Sequence, residues 1–147
     1  MVASRPEGID MTLSVADRLD ILDLLIRADS AATRRDVDAY VACFTDDAVL
    51  DGSKGEYRGK NRLRQSVRPI WESEGTTSVH LTLNPLVESA DDAPDVAIAQ
   101  SMLLILKDES PTSVHSVSSI VQHVVKRGTV WLIARRSVHS VSEEMAL

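Results

Sequence analysis

The sequence predicts an α+β domain in which three N-terminal helices pack on a strongly curved antiparallel sheet and enclose a pocket. Two observations carry this reading. Up to about residue 72 the apolar side chains recur with a period near 3.6, and from Thr77 onward the period drops to about two. Turn signals at Asp91-Asp92-Ala93-Pro94, Ser110-Pro111 and Arg127-Gly128-Thr129 cut the second half into four long β segments, the mark of an antiparallel meander. Long strands in one sheet twist and coil. Closed off by helices, such a sheet is expected to form a cone or α+β barrel with an internal cavity. A length of 147 residues fits one domain with its own core. Residues 1–13 read as a loose lead, 14–142 as the domain and 143–147 as a tail.

The elements follow in order. Ser14, with Asp17 three residues on, is a capping pattern that opens a helix over about 15–34. Its apolar stripe is Val15, Leu19, Leu22 and Ile26, and Arg34 and Arg35 suit its negative end. Asp36 caps a shorter second helix that buries Val37, Tyr40, Val41 and Phe44 and is broken by Asp46-Asp47. Ala48-Val49-Leu50 and Tyr57 form a small strand pair around the turn Asp51-Gly52-Ser53. Gly59 precedes a third helix over about 60–72, with Leu63, Val67, Ile70 and Trp71 on one face and Pro69 late in it. The long strands start near Val79 and continue over 96–107, 114–126 and 130–140.

Composition excludes several classes of function. A formal charge of -6 gives no broad positive field for nucleic acid. Only five aromatics (Tyr40, Phe44, Tyr57, Trp71, Trp131) are too few for a base-stacking or carbohydrate platform. The single Cys43 forms no internal disulfide and reads as a small buried hydrophobe. No 18-residue apolar run spans a membrane, and MVASRPEGID lacks the apolar stretch of a secretory signal, so a cytoplasmic location is expected. Segment 54–68 carries Lys54, Arg58, Lys60, Arg62, Arg64 and Arg68 against Glu56. It suits either an anionic ligand or partner, or a solvated face that balances acids elsewhere. Leu103-Leu104-Ile105-Leu106 is apolar on both faces of its strand, and helices can cover only one. The other face predicts a C2 homodimer through the sheets.

Several motifs resemble the SnoaL-like branch of the nuclear-transport-factor-2-like superfamily. They are Asp17-Arg18-Leu19-Asp20-Ile21-Leu22-Asp23-Leu24-Leu25, Asp36-Val37-Asp38-Ala39-Tyr40 through Phe44-Thr45-Asp46-Asp47-Ala48, Tyr57-Arg58-Gly59-Lys60, His80 with Asn84, and Gly128, Trp131-Leu132-Ile133 and Arg135-Arg136. Together they span about 12–140. The resemblance implies a fold shared with scytalone dehydratase, hexachlorocyclohexane dehydrochlorinase, ketosteroid isomerase and polyketide cyclases, with dioxygenase small subunits, and with noncatalytic binding proteins. It implies no cofactor. In the dehydratase-like members a His at the start of the long strands abstracts a proton, and an Asp late in the first helix orients it. His80 falls on that His position. The Asp position falls on Thr33, and the tyrosine often found five residues earlier falls on Ala28.

The candidate residues follow from phase. His80 alternates with Thr82 and Asn84 on a polar face that belongs to a pocket or to solvent. Asp29, one turn before Thr33, is the substitute acid that can orient it. Asn84, Gln122, Arg135 and Tyr57 are the expected substrate contacts. Gln122 shares phase with Ser118 and Ile120. Arg135 shares phase with Trp131 and Ile133 and is expected inward, to hold an anion or to pair with a helix acid such as Asp23, while Arg136 is expected outward. His115, His123 and His139 are too dispersed for a metal site. Two functions are expected. One is a cofactor-free lyase or isomerase acting on a small apolar or polycyclic substrate with an acidic C–H. The other is a noncatalytic ligand-binding or partner-subunit protein, which Thr33 at the Asp position favours.

Overall fold

The computed structural model describes residues 12–90 and 93–141. Residues 1–11 of the expected lead and the tail 143–147 lie outside them, and Leu13 is already part of the core. The elements are helices α1 (Val15–Thr33), α2 (Val37–Val41) and α3 (Lys60–Glu72), and strands β1 (Phe44–Gly52), β2 (Gly55–Arg58), β3 (Ser78–Ser89), β4 (Val96–Lys107), β5 (Ser113–Arg127) and β6 (Val130–Ser140). No described helix is long and apolar enough to cross a membrane.

The cone and barrel are corrected. The six strands form one open sheet in the order β2-β1-β6-β5-β4-β3, neither closed nor strongly curled. The meander β3-β4-β5-β6 is antiparallel as expected. The sheet as a whole is mixed, because β1 runs parallel to β6, with Ile133 N donating to the Cys43 carbonyl at 2.8 Å. The strand pair expected around Asp51-Gly52-Ser53 therefore does not roll over to meet β3. It extends the sheet beyond β6 and leaves β2 and β3 as separate edges.

Ser14 caps α1 as its sequence predicts, accepting from Asp17 N at 3.0 Å. Asp17 also receives Lys126 Nζ at 2.9 Å and Trp131 Nε1 at 3.0 Å, which ties the start of the helix to β5 and β6. The buried face of α1 is not the expected stripe. Val15, Leu19 and Ile26 are 74%, 57% and 56% exposed, and the helix instead buries Ile21, Leu24, Leu25, Ala28, Asp29 and Ala32. Both sets repeat at helical spacing, so periodicity alone did not choose between them. Phe44, expected in α2, opens β1, and Asp46-Asp47 are exposed positions of that strand. Tyr40 packs edge-on against Trp71, with ring centroids 5.1 Å apart, and joins α2 to α3.

Three bulges decide which side chains face the helices. On β3 the pairing passes from Leu83–Met102 to Leu86–Gln100, so β3 holds one extra residue at Asn84-Pro85. On β5 the extra residue is His115, between Ser116–Ile105 and Val114–Leu106. On β6 it is Ala134, between His123–Arg135 and Val124–Ile133. Each extra residue reverses the alternation beyond it.

Candidate functional site

His80 and Ser78 point inward from β3 and are nearly fully buried. The imidazole does not meet Asp29 or Thr33. Its Nε2 lies 2.7 Å from Glu74 Oε1, and that carboxylate arrives from the loop between α3 and β3. The same oxygen accepts from Ser78 Oγ at 3.0 Å and from Arg35 Nη1 at 3.3 Å. Burial pushes the Glu74 carboxyl up, but the hydrogen bond and charge of His80, then Ser78 and Arg35, outweigh it and hold the group below its ordinary value. An ionised carboxylate only accepts, so the imidazole donates to Glu74 through Nε2. Arg35 turns the chain with φ 58°, a conformation that favours glycine, and its guanidinium also reaches the Gly75 carbonyl at 3.3 Å. Thr33 Oγ1 accepts the backbone N–H of His80 at 2.9 Å and so fixes the strand rather than the ring.

Asp29 is buried but belongs to a second cluster. Its Oδ1 receives Arg136 Nη2 at 3.1 Å, and its Oδ2 receives Thr82 Oγ1. Arg136, 3% exposed, also reaches Gln122 Oε1 at 3.4 Å and lies 5.9 Å from the centre of the Tyr40 ring. Burial works to lower the Arg136 pKa, but the charge and hydrogen bond of Asp29 oppose it, and the guanidinium is held above its ordinary value and stays charged. Burial pushes the Tyr40 phenol up, so that ring stays neutral.

The expected roles of Arg135 and Arg136 are exchanged. The Ala134 bulge turns Arg136 inward and sends Arg135 to the rim, where it pairs with Asp51 at 3.2 Å and Glu56 at 3.4 Å rather than with Asp23. Asn84 is also corrected. It sits in the β3 bulge with φ 52°, exposed, and lines no part of the cavity. Gln122 is buried on the phase it shares with Ser118, but it lies behind Arg136 and does not line the cavity, so it is not the expected substrate contact. Tyr57 lines the cavity and donates its hydroxyl to the Lys54 carbonyl at 2.9 Å.

The cavity has a volume of about 230 Å³ and lies between the sheet, α2, α3 and the β1–β2 turn. Leu103, Ile105, Trp71 and Val138 form apolar walls, and His80, Glu74, Arg136 and Ser118 place polar groups on it. Sequence reasoning missed Glu74 and misplaced Arg136. The one signal for Glu74 was parity with Ser78 and His80 across the Gly75 turn. Among the described residues no three His, Cys, Asp or Glu side chains gather as a metal-ligand set. Much of the basic run is paired locally, through Arg58–Glu56, Lys60–Asp46 and Arg64–Asp38.

Similar folds are known. A protein of unknown function with a cystatin-like fold from Nostoc punctiforme superposes with a TM-score of 0.81 at 23% identity, covering 90% of this chain and 95% of that one. Aln2 from a Streptomyces species gives 0.80 at 14% identity, covering 90% and 96%. An NTF2-like protein with a cystatin-like fold from Novosphingobium aromaticivorans gives 0.75 at 19%, covering 90% and 86%. Comparison with curated proteins returns no match. The SnoaL-like domain model matches residues 13–137, nearly the whole described chain, and the protein therefore belongs to the SnoaL-like family.

Proposed function

We propose that the protein is a cofactor-free lyase or isomerase that removes a proton from a small apolar substrate, with His80 as general base. The observation that carries this reading is the buried 2.7 Å contact between His80 Nε2 and Glu74 on the cavity wall. Glu74 holds the Nε2 proton, so Nδ1 is the atom that takes the substrate proton. The imidazolium that results is then faced by a carboxylate, which lowers the cost of charging a buried ring. Thr33 does not supply that charge; Glu74 does. In D2O the protein is expected to exchange the α-hydrogens of small cyclic ketones faster than buffer, measured by proton NMR. His80→Ala should lower that rate by about 100-fold or more. A wild-type protein no faster than buffer across such a panel sinks the catalytic reading. What then stands is the second one, a noncatalytic ligand-binding protein, which Thr33 at the family's Asp position favours.

The same proposal includes a homodimer through the outer sheet face. Leu81, Leu104 and Val117 are register neighbours across β3, β4 and β5, and Leu81 and Val117 are 38% and 41% exposed. Contiguous apolar surface of this kind favours a partner, and a second copy presents the same face. Sedimentation should give twice the chain mass of 16.1 kDa, and Leu104→Glu should reduce it to one. A wild-type monomer at micromolar concentration removes the dimer from the proposal.

A further inference from the structure

We propose that the cleft between the end of α1, α2 and α3 binds a phosphate group, carried by a small phosphomonoester, with Arg34 and Arg68 as the residues that hold it. This site lies outside the cavity and stands whether or not His80 is a base. Local pairs absorb only part of the basic run in the sequence: Arg58, Lys60 and Arg64 each have an acid beside them. Arg68 has none, and the fold places it in one open cleft with Arg34, Arg35 and Arg64, where the only acids are Asp36 and Asp38. Asp38 pairs with Arg64, and Asp36 caps α2, accepting from Ala39 N at 3.0 Å. Arg35 is held against Glu74 and the Gly75 carbonyl. Arg34 and Arg68 are exposed, and among the described residues neither has an ion pair or a side-chain hydrogen bond.

Arrangement and charge narrow the ligand. Arg64 and Arg68 stand one turn apart on α3, where like charges repel, and an anion between them relieves the repulsion. The planar fork of an arginine matches phosphate oxygens two at a time. Four arginines against two aspartates leave an excess of two positive charges on the lining. A phosphomonoester fits that excess, with about 1.5 to 2 negative charges at pH 7 and three acceptor oxygens. A carboxylate brings one charge and two oxygens. The cleft is open to solvent, so it takes the phosphate group and leaves the rest of the molecule outside. A polyanion fits less well. The formal charge of -6 repels a nucleic acid or an anionic membrane as a whole, whereas a single phosphate meets mainly the arginines within a screening length of about 8 Å.

The test titrates inorganic phosphate and glycerol phosphate into the whole protein at pH 7 and constant ionic strength. Backbone amide signals of residues 34–38 and 64–68 report occupancy by NMR. Both phosphates should shift these signals to saturation, with a Kd of about 1 mM or below. Acetate at the same ionic strength should bind about tenfold more weakly or worse. Arg34→Gln and Arg68→Gln should each weaken phosphate binding about tenfold, as expected for one lost charge-assisted contact. Both side chains are exposed, so both variants keep the fold. Arg62→Gln removes the same charge from α3 outside the cleft and should change affinity by less than about twofold. Shifts that do not saturate, equal affinity for acetate, or a loss for Arg62→Gln as large as for Arg68→Gln overturns the proposal. Binding of inorganic phosphate with glycerol phosphate excluded overturns the monoester. The wild-type protein should not sediment with phosphatidic acid vesicles. Arg68-dependent sedimentation, with glycerol phosphate leaving the signals unmoved, would give the cleft to a membrane surface and overturn the proposal as well.

Discussion

The interior holds two acid–base pairs whose chemistry differs. Asp29–Arg136 joins α1 to β6 and is 3.1 Å long; Glu74–His80 joins the end of α3 to β3 and is 2.7 Å long. Both are nearly fully buried. A guanidinium keeps its proton under all ordinary conditions, so the first pair can position and attract but cannot move a proton. An imidazole can both give and take a proton at its ring nitrogens, so the second can. The difference teaches that burial of a charged pair does not identify a catalytic one. The proposed catalysis needs a member that can exchange a proton, and of these two pairs only Glu74–His80 contains one.

Removing one charge from the fixed pair should have the largest effect on stability. Arg136→Gln leaves Asp29 buried with Thr82 as its remaining side-chain donor. Loss of one partner from a buried ion pair costs about 3–5 kcal/mol, and urea unfolding at pH 7 should show it. The double variant Asp29→Asn with Arg136→Gln should recover a large part of that loss. A single variant within about 1 kcal/mol of wild type would mean that Asp29 is wetter than its burial shows, and the contrast between the pairs would fail.

Glu74→Gln should cost less, about 1.5–3 kcal/mol at pH 7, since His80, Ser78 and Arg35 keep an amide oxygen to donate to. Its more telling signature is in pH. The Glu74 carboxyl is held below its ordinary value of 4.5 in the folded protein. Its stabilisation is therefore complete above the unfolded value and disappears as pH falls through the folded one. Wild-type stability should drop on acidification below about 4.5, and the Glu74→Gln variant should drop less steeply over the same range. Parallel curves for the two proteins would remove Glu74 as the charged partner of His80.

Most of the framework was legible in the sequence. The cap at Ser14, the third helix, the four long strands and their antiparallel order all come from local signals that tertiary contacts did not overrule. The site was legible only in part, for a physical reason. Alternation is a reliable guide to facing until one residue is inserted, and β3, β5 and β6 each contain such an insertion. His80 lies before the insertion in β3, and no insertion separates Gln122 from Ser118 and Ile120, which set its phase, so both face as expected. Arg136 and Asn84 lie in or beyond theirs and do not. Asp29 was singled out as the acid to orient His80, from a stripe that faces solvent; it is buried, but it holds Arg136. Glu74 sits in a loop, where parity with Ser78 and His80 across Gly75 is a weak guide because a turn does not preserve alternation. The open sheet was hidden for another reason: parallel pairing of β1 with β6 joins residues about ninety apart in sequence, and nothing local encodes it.

The smallest expected effect sharpens the comparison most. α1 and β3 are pinned at two points: Thr82 donates to Asp29, and the His80 backbone N–H donates to Thr33. Thr33, which the sequence resemblance sets at the acid position, contacts the main chain of His80 and not its ring. Thr33→Val keeps the shape and removes one acceptor, which should cost about 1 kcal/mol in unfolding. It should change the rate of ketone deuterium exchange by less than about threefold, because the charge that faces the imidazole comes from Glu74. A loss near that expected for His80→Ala would show that Thr33 acts on the ring after all. A small loss, beside a large one for Glu74→Gln, would show that the acid of the His–acid pair has moved from α1 to the loop before β3, leaving Asp29 to hold Arg136.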